Sequence, residues 1–300
     1  MINYTLKQLY SLEAVIRLSS FTKASKELNI TQPAVYMQIQ QLQKNIGSDL
    51  VNIRGKSIHP TFIGKKLYRT CLEVINKLEQ TKSDIEQTLD PDSGHLHIVV
   101  ATTTNSFISH VLAKFKQQHP KMTFHLEVTN RKLLLEKLSN NETDLVVMGE
   151  PPSDMPLITQ PLMENPLIVI AHPKHPLLAN NHNSIKTLMR ETLITREQGS
   201  GTRITIERIT GMQFNSNIEI NSNEATIKAV QAGLGIGFVS KHTVKLELQN
   251  GVIRQLNVEK FPITRHWHVV HNNNKLSPIA ERFKTFIIES SGSLCIMMDD

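Results

Sequence analysis

Apolar residues over the first ninety positions recur at helical spacing. Leu6, Leu9, Leu12, Val15, Ile16 and Leu18 predict an amphipathic helix ending near Ser19-Ser20. A short second helix fits Thr22 to Leu28, and Asn29-Ile30 makes a tight turn. Thr31 is a good N-cap with Pro33 in the first turn, where its missing N–H costs nothing, so a third helix runs to about Asn45. Its Val35, Ile39, Leu42 and Ile46 face inward, leaving Gln32, Tyr36, Gln38, Gln40 and Gln43 for other faces. After Gly47, Leu50-Val51-Asn52-Ile53 alternates like a strand and Arg54-Gly55-Lys56-Ser57 turns toward Ile58 and His59, a wing. Residues 1–60 thus read as a winged helix-turn-helix.

From Thr61, another N-cap, to Leu89 there is no proline and only Gly64 in the first turn, which predicts one long linker helix over residues 61–90. Leu67, Cys71, Val74, Leu78, Thr81, Ile85 and Thr88 step by four and three, a seam that would pair two such helices into a dimer. The alternative is a face packed on its own domain. Asp90-Pro91-Asp92-Ser93-Gly94 reads as a hinge. Beyond it, strand 96–101, helix 107–118, strand 123–128 with Phe124, Leu126 and Val128 inward, helix 132–138 and strand 144–148 form a doubly wound α/β unit. A second unit follows from about Pro166, with strands 167–171, 192–195, 217–220 and 236–240 and helices 202–209 and 224–232. The chain returns through Trp267–Val270 and a helix at 278–288 to complete the first. Residues 91–300 are therefore expected to form two lobes, 91–162 with 268–300 and 163–267. Ligands in such lobes bind at strand carboxyl ends and helix N-termini, where unpaired N–H groups and the dipole favour anions.

Three hundred residues with 39% hydrophobic and 20% charged positions suit a multi-domain globular chain. No apolar run spans a bilayer and the N-terminus lacks signal-peptide order, so a cytoplasmic protein without a membrane partner is expected. Cys71 and Cys295, far apart and outside any Cys/His cluster, read as free thiols. Charge sharpens the picture: residues 1–69 hold ten Lys/Arg against three acids, whereas the rest holds 23 against 24. A basic module on a neutral body is the footprint of a nucleic-acid binder, because neutralised phosphates release counterions.

The third helix would enter the major groove by its N-terminal end, Thr31, Gln32, Pro33, Ala34 and Tyr36. With no Lys or Arg between Thr31 and Gln43, base reading falls to Gln32, Gln38 and the Ala34 methyl. Phosphate contacts fall to Lys23, Lys26, Arg54 and Lys56. In the body, Thr102-Thr103-Thr104 offers hydroxyls after a strand. Arg196-Glu197-Gln198-Gly199-Ser200-Gly201-Thr202-Arg203 adds glycines, hydroxyls and two arginines suited to bidentate capture of carboxylate or phosphate. Asn223 could add a polar wall or simply cap a helix. Ser200 does not sit in G-x-S-x-G, so a hydrolase is not expected, and Gly233-Leu234-Gly235-Ile236-Gly237 precedes a strand-like run rather than a helix. His95 with His97 and His266 with His268 could each place two imidazoles on one strand face. Lacking nearby carboxylates or cysteines, they read as surface or packed histidines, and no metal is expected.

Thr31-Gln32-Pro33-Ala34-Val35, the wing Arg54-Gly55-Lys56 and Thr61 with Gly64 resemble the N-terminal domain of LysR-type transcriptional regulators. Tyr36 stands where that family often has serine, and Gln43-Lys44 where Leu-Glu is usual. The stretches Arg196 to Arg203, Ser222 to Val230, Ala232 to Ile236 and Leu276-Ser277-Pro278 are similar to those of regulators of carbon-fixation (Calvin–Benson, RuBisCO) operons. The resemblance implies a two-lobed effector domain of periplasmic-binding-protein type. It also implies a homodimer or homotetramer on double-stranded promoter DNA, RNA polymerase as a further partner, and no cofactor. In that subgroup the effectors are phosphorylated sugars or acids and nicotinamide nucleotides, and Thr102, Thr104, Ser200, Thr202 and Arg203 are the implied ligand residues. A regulator of an unrelated pathway, a constitutive DNA binder and an α/β enzyme with an appended DNA-binding domain remain as alternatives.

Overall fold

The hydroxyls of Thr5, Ser20 and Thr31 accept from the N–H groups of Gln8, Lys23 and Ala34, and these caps set the starts of three helices. They are α1 (Leu6–Leu18), α2 (Phe21–Glu27) and α3 (Gln32–Ile46). Left-handed Ser19 and Gly47 end α1 and α3. The structure, a computed structural model, describes residues 4–54, 57–89, 93–211, 213 and 218–292. It divides into two compact units, residues up to Ile85 with the short segment Asn140–Glu142, and the remainder.

In the first unit, β1 (Val51–Arg54) and β2 (Ser57–Pro60) pair antiparallel as the wing, and α4 (Phe62–Leu89) follows. Leu9, Leu12, Val15, Val35, Ile39, Leu42, Leu50 and Ile58 form the core. Three short helices cannot enclose that core alone. The first turns of α4 cover it: Cys71 is fully buried there, with Leu67 and Val74 packed around it. The expected pairing seam is corrected accordingly. Leu67, Cys71 and Val74 belong to the chain's own core, whereas Leu78 and Ile85 are 41% and 55% exposed. Burial also pushes the Cys71 thiol up to about 12, so it is inert rather than reactive. Cys295 and the hinge residues Asp90, Pro91 and Asp92 lie outside the described residues.

Gln43, expected on an outer face, is buried, and its carbonyl accepts from the N–H groups of Leu50 (2.9 Å) and Val51 (3.3 Å). It satisfies the start of β1, which has no helical partner there. Gly64 is dictated by close approach: a Cβ on it would lie 1.8 Å from the Leu50 carbonyl oxygen.

The second unit contains two five-stranded sheets. Its elements are β3 (His95–Ala101), a 3₁₀ turn at Thr102–Thr104, α5 (Asn105–Gln118), β4 (Thr123–Thr129), α6 (Arg131–Ser139), β5 (Leu145–Met148), β6 (Leu157–Glu164), β7 (Leu167–Ala171), α7 (Ile185–Leu188) and β8 (Leu193–Arg196). There follow α8 (Gly201–Thr210), β9 (Ile218–Ile220), α9 (Asn223–Gln231), β10 (Ile236–Ser240), α10 (Lys245–Gln249), β11 (Arg254–Leu256), β12 (His266–Asn272) and α11 (Pro278–Glu289). The first sheet has the order β4-β3-β5-β12-β6 and the second β11-β7-β10-β8-β9. Each sheet buries apolar side chains on both faces, as a doubly wound lobe must. The chain crosses between lobes after Glu164 and again before His266, and the two crossings are tied by Asn165 N–H to Arg265 O (2.6 Å) and by mutual Leu167–Ile263 bonds (2.9 Å each).

Two strand readings change. Phe124 and Val128 are exposed rather than inward, because β4 is an edge strand with one face uncovered. The edge strand β6 escaped the sequence reading because Pro161 interrupts it, a residue tolerated where a ladder N–H is dispensable. Gly235, between α9 and β10, sits where a Cβ would fall 2.4 Å from the Thr192 carbonyl oxygen, so this glycine run serves packing.

Candidate nucleic-acid interface and ligand recess

In the first unit, Val35, Ile39 and Leu42 turn α3 inward, and the opposite face presents Thr31, Gln32, Pro33, Tyr36, Met37 and Gln40 to solvent. Ala34 is half-buried beside them. The Gln32 carbonyl accepts from the Thr22 hydroxyl (2.9 Å), which orients its NH2 group outward. The Tyr36 ring leans edge-on against Phe21, 5.5 Å between centroids. Gln38 departs from expectation: its carbonyl accepts from the buried Ser11 hydroxyl at 2.5 Å, tying α3 to α1, so bidentate base reading would break an internal bond. Met37 is 69% exposed and was missed, although it stands two residues from both Val35 and Ile39 and hence on the opposite helix face. Lys23 and Lys26 are exposed on α2. Two of the module's three acids, Glu13 and Glu27, are bound by Arg17, which holds the Glu27 carboxyl below its usual range. Arg54 closes β1, and Lys56 lies outside the described residues.

In the second unit, a recess of about 490 Å3, including its open mouth, lies between the lobes. Thr102 and Thr103 line it from the first lobe; Arg196, Ser200 and Thr202 line it from the second; Arg131, Asn165 and Arg265 complete it. The hydroxyl of Thr103 accepts from Trp267 Nε1 (3.2 Å). Ser200 caps α8, its oxygen accepting from Arg203 N–H (3.1 Å), so the first turn of α8 faces the recess with its dipole. Arg196 is buried and bound by Glu197 through two bonds (2.8 and 3.0 Å), with a third to the Asn221 carbonyl.

Arg265 is different. Its Nε donates to Asn165 O (3.1 Å) and its Nη1 reaches Thr202 Oγ1 only at 3.5 Å, while Nη2 is buried without a partner. Burial, and then the charge of Arg196, pull its pKa down to about 10. The side-chain amide oxygen of Asn165, Oδ1, in the same recess is likewise buried and unpartnered. Three guanidinium groups against the single Glu197 carboxylate therefore line a partly dehydrated recess suited to an anion that can also offer a donor to Asn165.

Other expected ligand residues stand elsewhere. Arg203, although in the first turn of α8, does not line the recess; Glu207 and Glu219 bind its guanidinium at 2.9 Å each. Thr104 is fully buried and donates to the Ala101 carbonyl (2.7 Å). Asn223 lines a separate, wider recess and donates to Thr243 Oγ1 (2.9 Å). Neither Arg265 nor Asn165 carried a local sequence signal, because both lie on the crossovers that only the fold brings together.

Two family profiles match this chain: the lysR family bacterial regulatory helix-turn-helix over residues 6–65 and the LysR substrate binding domain over residues 90–292. The chain belongs to the LysR family. As a LysR-family protein it is a DNA-binding transcriptional regulator. It is 37% identical to a RuBisCO operon transcriptional regulator of Allochromatium vinosum over 97% of each chain. It is also 37% identical to the HTH-type transcriptional activator CmpR of a Synechocystis species, over 98% of each. Among solved structures it is similar to the Synechocystis CcmR regulatory domain in complex with 2-PG, at 34% identity and a TM-score of 0.62, covering 66% of this chain and 97% of that one. No helix among the described residues of this LysR-family chain is long and apolar enough to cross a membrane.

Proposed function

We propose that this regulator controls a carbon-fixation operon in response to a small phosphorylated acid held between its lobes, acting by binding and not by turnover. The observation that carries the ligand class is the buried, unpartnered Nη2 of Arg265 beside Arg196 and Arg131. An anion there would accept from Arg265, from the Thr102, Thr103 and Thr202 hydroxyls and from the first turn of α8. The operon assignment is supported by full-length likeness to RuBisCO operon regulators, and 2-phosphoglycolate by the CcmR domain complex. In this reading Arg203 and Thr104 shape the site from behind, and Asn223 belongs to the neighbouring recess.

On DNA, α3 enters the major groove with Gln32, Tyr36 and Met37 toward base edges and its start set by Thr31, Pro33 and Ala34, while Lys23, Lys26, Arg54 and Lys56 hold phosphates. Exposed Leu78 and Ile85 on α4 support pairing of two copies, and RNA polymerase is the partner at the promoter.

The test is a thermal melt of the full chain with 2-phosphoglycolate, sugar phosphates, nicotinamide nucleotides and plain phosphate. A selective ligand at a hundred times Kd adds about 2.7 kcal/mol. Absence of a shift with every phosphorylated compound would overturn the ligand assignment and detach the chain from carbon fixation, leaving family membership intact.

A further inference from the structure

His97 and His125 are register partners on the parallel neighbours β3 and β4, and Glu127 lies two residues beyond His125 on the same face. The two imidazoles meet edge to face with centroids 4.7 Å apart. One ligating atom from each of the three residues lies within 4.8 Å of the others. His97 Nε2 is buried without a hydrogen-bond partner, a position that calls for a donor or a cation. His125 is exposed and Glu127 is about one-third exposed, so both can rotate onto a centre that His97 fixes.

We propose that His97, His125 and Glu127 form a binding site for one divalent transition ion of the zinc class, with two imidazole nitrogens, one carboxylate oxygen and the remaining position filled by water. Two nitrogens and one oxygen favour zinc, cobalt or nickel over magnesium and calcium, which prefer oxygen alone. Metal–ligand distances of about 2.0–2.2 Å require the donor atoms to close to roughly 3.3 Å from one another, a rotamer adjustment of the two accessible side chains. Lys137 of α6, 3.0 Å from a Glu127 oxygen, is the cation the ion would displace, and a partly exposed pair of this kind holds only weakly against solvent screening. This centre is separate from the anion recess: His97 precedes Ala101 by four residues of one strand, roughly 13 Å. The same-strand pairing of His95 with His97 considered from the sequence is thus replaced by a cross-strand set.

Cobalt(II) titration of the chelator-treated full chain, followed by its visible absorption, provides the test. With 13 histidines in the chain, the control is His266→Gln on β12. The expected result is one tight equivalent per chain, weakened at least about tenfold in His125→Gln and Glu127→Gln, unchanged in His266→Gln and tightened in Lys137→Ala. His125 and Glu127 are accessible enough for their variants to fold, and the chain's melting curve checks this. Equal cobalt affinity in the folded His125→Gln variant and the parent, or only weak binding of several equivalents in the parent, would overturn the site.

Discussion

Replacing Arg265 by Gln should affect the empty and the liganded protein in opposite directions. In the empty protein the guanidinium is a partly dehydrated cation next to Arg196, and its pKa, lowered from 12.5 to about 10, corresponds to roughly 3 kcal/mol against the charged form. The sign follows from linkage. A base whose folded pKa lies below its unfolded value destabilises the folded state at neutral pH, so removing it relieves that cost. Against the relief stands the bond to Asn165 O at 3.1 Å and the long contact to Thr202, about 1 kcal/mol each or less. The empty variant should therefore melt above the parent temperature, a net gain of about 1–2 kcal/mol giving about 2–8 °C at 2–4 °C per kcal/mol for a unit of this size. Ligand binding should lose one charge-assisted bond of about 1.5–3 kcal/mol, a Kd about 10- to 150-fold weaker. A 2-phosphoglycolate concentration that stabilises the parent by about 2.7 kcal/mol would then, after a 50-fold loss, stabilise the variant by only about 0.6 kcal/mol. Paired melts with and without ligand, backed by calorimetric titration, read both quantities. An empty variant several degrees less stable than the parent, with its ligand shift intact, would make Arg265 a structural residue and refute the reasoning.

Gly64→Ala should disable DNA binding while sparing the effector domain. The new methyl meets the Leu50 carbonyl oxygen at 1.8 Å, and α4 cannot withdraw without losing Thr61 N–H to Leu50 O at 2.9 Å, so a loss of about 3 kcal/mol is expected. Operator binding should disappear and an early melting transition appear with the ligand-dependent transition unchanged; parent-like affinity and melting would contradict it. On DNA, Gln32→Ala should weaken the operator more than random sequence. Lys26→Ala should weaken both and flatten the salt dependence by about one unit, as gel-shift titrations at several salt concentrations would show. Equal losses on both DNAs for Gln32→Ala would remove it from base reading.

Short-range signals in this chain are faithful. Thr31, Pro33 and the four-three spacing of Val35, Ile39 and Leu42 place α3 to within a residue, because caps and helical periodicity act over a few positions. Gln43 shows where such reading slips. Four residues beyond Ile39, it sits on the inner side, but its polarity suggested solvent until the start of β1 was seen to need its carbonyl. Cys71 shows the reverse, an apolar seam whose first half is consumed by the domain it covers. Strand β4 is legible from its alternation, which does not say which face the sheet covers, and Phe124 and Val128 lie on the uncovered one; β6 was missed because a tolerated proline interrupts its pattern.

By itself the sequence determined the element types, the basic N-terminal module and the two-lobed α/β plan, since these depend on local periodicity, capping and the count of charges along the chain. The tertiary structure alone decided which charges are available. Arg196 and Arg203, adjacent to the glycine-rich turn and conspicuous in sequence, are bound by Glu197, Glu207 and Glu219. Arg265, a hundred residues from the Asn165 carbonyl it touches, keeps a buried unpartnered nitrogen in the recess. A charge is governed by the dipoles, ions and water within a few ångströms of it: Glu197 and Glu207 are sequence neighbours of Arg196 and Arg203, whereas the company of Arg265 is assembled by chain crossings that no local pattern encodes.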